Sequence, residues 1–505
     1  MNRFRMVLGG LVAAFILFAG SAALAQNDTL VIGVGSEAQN LDPRLATDVA
    51  SALRTNVMME GLVTFDRNLG LEPRLATSWE LAEDLMSLTF YLREGVTYHN
   101  GHPFTSADVR YTFETVLDES FEARNRALYA SIESIETPDD HTVIFHLHTP
   151  NVFLINNLAR MSILPNDPDI DHDMNPIGTG PYKFVSRVRD ERLVMERNDD
   201  YWGGTGPLAR LEFRVIPENS TRLLAFEAGE IDVTQSVIPA VELARLEADD
   251  RFVMERTAGT GYTYLAFNNQ VKPLNNPLVR KALNYLVPRQ GIVNQVLNGN
   301  GFLGISMILP SMVWFNPDVE IYEYNPELAR ELLEQAGVDF STPLRLTTSE
   351  DAARMQIAEI LAFEFGQIGL NIEVEIMEAA SFLTRIQQSN DYDLIISGWS
   401  GQLDPDRATI RQFHSDPKSG TANYANYSNP RVDELLLQGA ATDPTSQQSV
   451  EIYQEIQQIV VDESPMAFIY YIEEVALYHP YIEGWSIHPY SPNTFENAHL
   501  ISKNR

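Results

Sequence analysis

The sequence predicts an α/β fold built on a mainly parallel, helix-covered sheet, and three observations carry that expectation. Strand and helix patterns alternate over much of the chain, the order β-α-β-α-β is explicit between residues 344 and 397, and capping residues stand where apolar periodicity begins and ends. Taken in chain order, Ser87 to Arg93 (SLTFYLR) reads as a strand, followed by a polar turn through Gly95 and Gly101. From Pro277, the residues Val279, Ala282, Leu283 and Leu286 fall at i, i+3, i+4 and i+7 and predict a helix. Asn325-Pro326-Glu327-Leu328 starts another, with Asn as N-cap, Pro at the first helical position and Glu near the positive dipole end. Leu328, Leu332, Leu333 and Ala336 form its apolar face, and Gly337 ends it. LRLTTS at 344–349 reads as a strand, and 352–368 places Ile357, Ile360, Leu361, Phe365 and Ile368 along one helical face before Gly369. Ile372, Val374 and Ile376 alternate in the next strand, Ser381 to Gln388 is helical, and Asp393 to Ser397 is a buried-type strand. Ligands of such sheets gather beyond the carboxyl ends of the strands, so the strand ending at Ser397 delivers the segment from Gly398 to Asp406 to that edge. The N-terminal third is more mixed.

Composition narrows the function. The chain has 505 residues, 36 Lys plus Arg against 69 Asp plus Glu, a formal charge of −33, and no cysteine. Its length predicts several domains, and 44% hydrophobic and 10% aromatic content is enough to close sizeable cores. Without thiols there is no disulfide framework, no Cys-ligated metal and no thiol nucleophile. The acidity argues against nucleic acid and against anionic membrane surfaces. Residues 1–25 carry two arginines, an apolar run from Met6 to Phe18 and small residues ending Ala23-Leu24-Ala25, the pattern of a cleaved secretory signal peptide. The competing reading is a membrane anchor, because the uncharged stretch from Met6 to Ala25 reaches about 20 positions. With no cysteine after the apolar run, a lipoprotein is excluded, and an exported acidic protein is expected.

A search for chemistry finds no HExxH, P-loop or GxSxG pattern. His99 and His102, and the triplet Asp171-His172-Asp173, offer too few ligands each for a metal site, and polar turns explain both more simply. Gly178-Thr179-Gly180 and Gly259-Thr260-Gly261 lack the helix-opening context of nucleotide loops and read as turns. No cofactor and no catalytic set is called for. An exported α/β protein with no reaction attached favours binding over catalysis.

Several motifs are more specific. Asn40-Leu41-Asp42-Pro43, Glu60-Gly61-Leu62, the stretch from Ala76 through Ser87 to Val96, continuing to His99-Asn100-Gly101 and Pro103 to Val109, Gly178 to Tyr182, Asp200-Tyr201-Trp202, Leu265 to Asn268, Arg280 to Leu283, the Asn325 to Gly337 helix and Tyr427 to Asp433 follow one another in order. In that order they resemble, along nearly the whole chain after residue 25, the family 5 extracytoplasmic solute-binding proteins of ABC importers, the peptide, opine and nickel class. The resemblance implies a two-lobed, hinge-closing binding-protein fold of the class with three domains. Lobe I would be discontinuous (26–62, 178–266 and 482–505), an inserted domain II would span 63–177, and lobe III would span 267–481. Two crossing strands would form the hinge, and closure would trap a solute and present it to permease subunits in the inner membrane. Residence in the periplasm as a monomer is implied.

The resemblance also suggests contacts. In peptide binders of the family a carboxylate shortly after the Gly-Trp turn pairs with the ligand amine. Three residues beyond Trp399 stands Gln402, and the nearest carboxylate is Asp404, which has an Asp-Pro turn as its alternative role. Trp399 is expected as an aromatic wall or as core packing. Arg354 is placed to meet a ligand carboxylate or to start a solvated helix. One of Tyr262 and Tyr264 is expected to face the cleft and the other to pack. Asn423 and Tyr424 lie where a family loop approaches ligand. Short peptides or peptide-like compounds are the expected cargo. Nickel chelates, haem, opines and oligosaccharides remain as alternatives within the same role, and an exported hydrolase or a ligand sensor for a signalling receptor remains outside it.

Overall fold

The computed structural model describes residues 28–505 except 47, 124, 236–237, 239, 338–342, 402 and 418–421. The segment 1–25, read from the sequence as a signal peptide, and Gln402 lie outside the described residues.

Two strands organise the chain. Val253–Phe267, of 15 residues, and Met466–Tyr478, of 13, run antiparallel through the middle of an 11-stranded sheet and belong to both of its halves. On one side Met466–Tyr478 pairs with Val233–Gln235, which leads through Thr29–Val34 to Arg210–Val215, Arg192–Arg197 and the edge strand Tyr182–Val188. On the other side Val253–Phe267 pairs with Leu394–Trp399, then Leu344–Ser349, then Ile372–Met377. The β-α-β-α-β reading is present here, since Leu344–Ser349 is parallel to both of its neighbours. The sheet as a whole is mixed, not mainly parallel, because the two shared strands pair antiparallel with each other and with the strands beside them.

Local signals place the helices. Asn276, Asn325 and Asp351 each accept a backbone N–H from the first turn of Pro277–Tyr285, Pro326–Ala336 and Ala352–Gly366. In the last of these, Ile357, Leu361 and Phe365 are fully buried against Leu346, Leu394 and Ile396 of the sheet. The strand Ile372–Met377 occupies the edge, which leaves Val374 and Ile376 exposed. Ser87–Leu92 joins Ala76–Leu81, Thr142–Leu147 and Ile132–Asp139 in a separate four-stranded antiparallel sheet. Its core sets Phe113 and Phe145 edge to face at 5.3 Å.

Two readings change. The strand expected to end at Ser397 continues to Trp399, because Gly398 and Trp399 pair with Thr263 and Tyr262. Gly259-Thr260-Gly261 is not a turn but an irregularity inside Val253–Phe267.

The C-terminus closes the first half. Ser502–Lys503 pairs with Ile482–Glu483, and Lys503 Nζ donates to Asp232 Oδ2 and to the Thr29 carbonyl, both at 2.8 Å. Asp232 also accepts from Val31 N–H and the Tyr481 hydroxyl, and both ion-pair side chains are 2% exposed. Removing the cation strands a buried carboxylate, so Lys503→Met is expected to lower unfolding stability by about 3 kcal/mol, read from urea transitions.

Candidate functional site

At the point where the shared strands pass from one half to the other, their register breaks. Ala258 pairs with Glu473 and Tyr262 with Tyr471, so Gly259, Thr260 and Gly261 stand opposite Ile472 alone. Glycine is required at 261 by close approach: a Cβ there would lie 2.7 Å from both the Trp399 carbonyl oxygen and Ile472 Cδ1. The bulge therefore brings the end of Leu394–Trp399 against the crossing.

A cavity of about 890 Å³ opens there. Its floor is formed by Thr260 and Gly261 with Ile472, Glu473, Glu474 and Val475 of the partner strand. One wall comes from Asp48, Val49 and Ala52 with Tyr490, Ser491 and Pro492. Asn125, Leu128, Tyr129 and Arg160, flanking the four-stranded sheet, form a second. Leu297, Asn300, Ser400 and Gly401, from the second half, form a third. This volume falls in the range of small-molecule sites, and each main structural unit contributes a wall.

The charged groups differ in how fully they are held. Asp48 caps the helix Val49–Met58, accepting from Ser51 N–H and its hydroxyl. Glu473 receives Arg256 at 2.9 Å, and the same guanidinium donates to the Gly299 carbonyl. Burial pushes the Glu473 and Glu474 carboxyls up, and Arg256 opposes this at Glu473.

The residues singled out in the sequence fall into two groups around the strand end. Trp399 is half-buried, packs on the aromatic core holding Tyr262, Tyr264 and Tyr424, and carries the Arg411 guanidinium 5.1 Å over its ring. Ser400 and Gly401, the next two residues, line the cavity. Tyr262 and Tyr264 are both fully buried, with ring centroids 5.9 Å apart, whereas one had been expected to face the cleft. Gln412 donates to the Tyr262 hydroxyl at 2.7 Å. Arg354 lies on the other face of the same strand, where a Cβ on Gly398 would meet its guanidinium at 2.8 Å, and it donates to the Ser349 hydroxyl. Asn423 bridges its own loop, donating to the His414 and Tyr427 carbonyls and accepting from Tyr427 N–H. The Tyr424 carbonyl accepts from the Tyr392 hydroxyl.

Asp404 is 6% exposed in the loop beyond Trp399. Asn156, from the helix Leu154–Leu158, donates to the adjacent Leu403 carbonyl at 3.1 Å and ties that loop to the opposite unit. Of the residues considered for metal, His99 and Asp173 have protein partners, whereas both ring nitrogens of the buried His172 have no hydrogen-bond partner among the described residues. His99 faces the Gly180 carbonyl through Nε2 and accepts from Gly178 N–H through Nδ1, while Asp173 pairs with Arg187 and caps Leu41 N–H.

Sequence reading missed Gln235, Glu473, Glu474 and Arg160 as cavity residues. A usable signal existed for two of them, because Glu473-Glu474 interrupts an otherwise apolar strand, MAFIYYIEEVALY.

A family model described as bacterial extracellular solute-binding proteins, family 5 Middle, matches residues 70–420. Among curated proteins the chain is 27% identical to the oligopeptide-binding protein AppA of Bacillus subtilis, covering 92% of this chain and 90% of that one. It is also 27% identical to the dipeptide-binding protein of Escherichia coli, over 95% and 96%. Among solved structures, HbpA2 from Haemophilus parasuis superposes with TM-score 0.87 at 25% identity, covering 94% of this chain and 100% of the other. AppA in complex with a nonapeptide gives 0.69 at 25% identity, over 94% and 99%.

One consequence of the loop is measurable through pH. The Asp406 carboxyl is pushed up to about 7 by burial and by Asp404, against the Tyr453 hydroxyl, which donates to it at 3.2 Å. Unfolded, it ionises near its ordinary 3.8, so between about 4 and 7 the unfolded chain loses the proton first and stability falls as pH rises. Asp406→Asn removes that loss. The mutant's thermal midpoint relative to wild type is expected to climb from pH 4 to pH 7.5.

Proposed function

We propose, from the premise that this chain belongs to the bacterial extracellular solute-binding proteins of family 5, that it captures short peptides or peptide-like compounds and delivers them to an ABC importer. The observation that carries this reading is the position of the cavity. It lies where the two strands shared by both halves cross, and its walls come from separate structural units. Rotation of the halves about that crossing changes the cavity without unmaking either core, the geometry of hinge closure around a ligand. The expected division into lobe I (26–62, 178–266, 482–505), domain II (63–177) and lobe III (267–481) is retained in this proposal. The shared strands supply the hinge.

Peptide cargo is favoured by what the relatives named above are said to bind, oligopeptides and dipeptides. A haem-binding relative keeps a non-peptide cargo as the second reading. Family members are solute-binding proteins, and the role proposed here involves no chemical step. Export through cleavage after residue 25, residence outside the cytoplasm without a lipid anchor, and action as a monomer complete the proposal. Trp399, Asp404, Arg354, Asn423 and Tyr424 are retained as residues that closure brings toward the solute, together with Gln402 of the same loop. For Tyr262 and Tyr264 the proposed contribution is to shape the wall behind Trp399.

The direct test is native mass spectrometry of freshly purified protein, followed by denaturation and identification of what is released. A peptide mixture is the expected result, and a single metal chelate or porphyrin would replace the peptide cargo with the second reading. Added tripeptide that binds the folded form must also raise the thermal midpoint, by an amount equivalent to about 2.7 kcal/mol at one hundred times Kd. Trp399→Ala is expected to weaken binding by about 1–3 kcal/mol with the fold retained, measured by calorimetry.

A further inference from the structure

Two buried carboxylates among the described residues, Glu60 and Asp232, are well supplied with donors. Glu60 accepts from the Thr179 hydroxyl, the Tyr201 hydroxyl and Trp202 Nε1 at 2.8, 2.8 and 2.9 Å, and Asp232 is held by Lys503 and Tyr481. Glu474 is different. It lines the cavity beside Glu473, but the Arg256 guanidinium goes to Glu473. Its hydrogen-bond partner is the Gln235 amide, a neutral donor at 3.3 Å.

Gln235 is itself nine-tenths buried and lines the same cavity, and it is placed by a second bond from its Nε2 to the Ser491 hydroxyl at 2.8 Å. Its Oε1 has no hydrogen-bond partner among the described residues. An orphaned amide oxygen and a carboxylate held by a neutral donor therefore stand together at the hinge. Both are acceptors, and both are short of a donor. An unmade hydrogen bond at a buried acceptor is costly, and a carboxylate without a cation in a partly desolvated wall is costlier.

The backbone is shaped around this group. A Cβ on Gly259 would lie 3.1 Å from Glu474 Cγ and 3.3 Å from its Oε1, so the glycine bulge leaves space for the carboxylate. We infer that Glu474, with Gln235 Oε1 beside it, pairs with an ammonium group of the captured solute. The inference rests on the solute-binding reading given above and adds the chemistry that the cavity selects. An ammonium supplies several donors and a full charge to two adjacent acceptors, which neither water nor a neutral amide provides.

In a peptide the ammonium comes from the α-amine or from a lysine side chain, and three tripeptides separate these: Ala-Lys-Ala, Ala-norleucine-Ala and N-acetyl-Ala-Lys-Ala. Affinities are measured by calorimetry on wild type and on Glu474→Gln, with matching circular dichroism melts showing that the variant folds. Wild type is expected to prefer the member of at least one pair that carries the additional ammonium by about tenfold, and Glu474→Gln to erase that preference while binding the analogue that lacks this ammonium as before. Loss of the lysine-over-norleucine ratio assigns the side-chain ammonium, and loss of the free-over-acetylated ratio assigns the α-amine. Ratios that survive in Glu474→Gln, or that are near one in wild type, overturn the inference. If no tripeptide binds wild type, the peptide reading fails. The solute released from wild type on denaturation then decides: one with no amine overturns the inference, and an amine retained by wild type but absent from Glu474→Gln upholds it.

Discussion

The antiparallel pairing of Val253–Phe267 with Met466–Tyr478 is the constraint on which the rest of the structure depends. Strands of 15 and 13 residues exceed the usual length because each serves two halves in turn. Their first partners extend the sheet toward Thr29–Val34, and their second toward Leu344–Ser349. Ala266 and Leu265, neighbours on one strand, look into different cores, so packing on both faces fixes the second half to the crossing. The first half is fixed from its own side by Ala476 and Leu477. The ladder between these fixed parts is interrupted at Gly259-Thr260-Gly261, where the proposed hinge would bend.

The same interruption makes the site. A continuous ladder would occupy the space where Thr260, Gly261 and Ile472 now border a cavity, and would hold Ser400 and Gly401 away from it. In the proposed function the crossing joins mechanics to recognition, since the bulge that would permit bending also borders the cavity. Binding, rather than turnover, suits such a place. In the proposed role, polar groups at the crossing would be completed by a ligand and then released, and that requires their pairing in the empty protein to be incomplete.

What the sequence made legible was mainly local. Asn276, Asn325 and Asp351 announce their helices because a cap involves residues a few positions apart. The parallel unit from 344 to 399 was readable because its strand and helix patterns follow one another directly in sequence. Gly259-Thr260-Gly261 was misread because a bulge and a turn call for the same residues, and the partner strand that distinguishes them is over two hundred positions away. Tyr262 and Tyr264 stand two apart on a strand, where side chains share a face, so both rings pack together. The order of motifs indicated the family, but a site assembled from Gln235, Glu474 and Ser491 depends on contacts that no local pattern encodes.

The central claim is that the two halves close about this crossing when solute enters the cavity. Because the chain has no cysteine, two introduced thiols give clean labelling. Leu224→Cys and Leu437→Cys place spin labels at exposed helix positions, one on each half. Their distance distribution is measured by pulsed electron resonance before and after saturation with a tripeptide mixture, with binding verified by calorimetry. The account predicts a shift to a new and narrower distribution. An unchanged distribution with solute bound would contradict it.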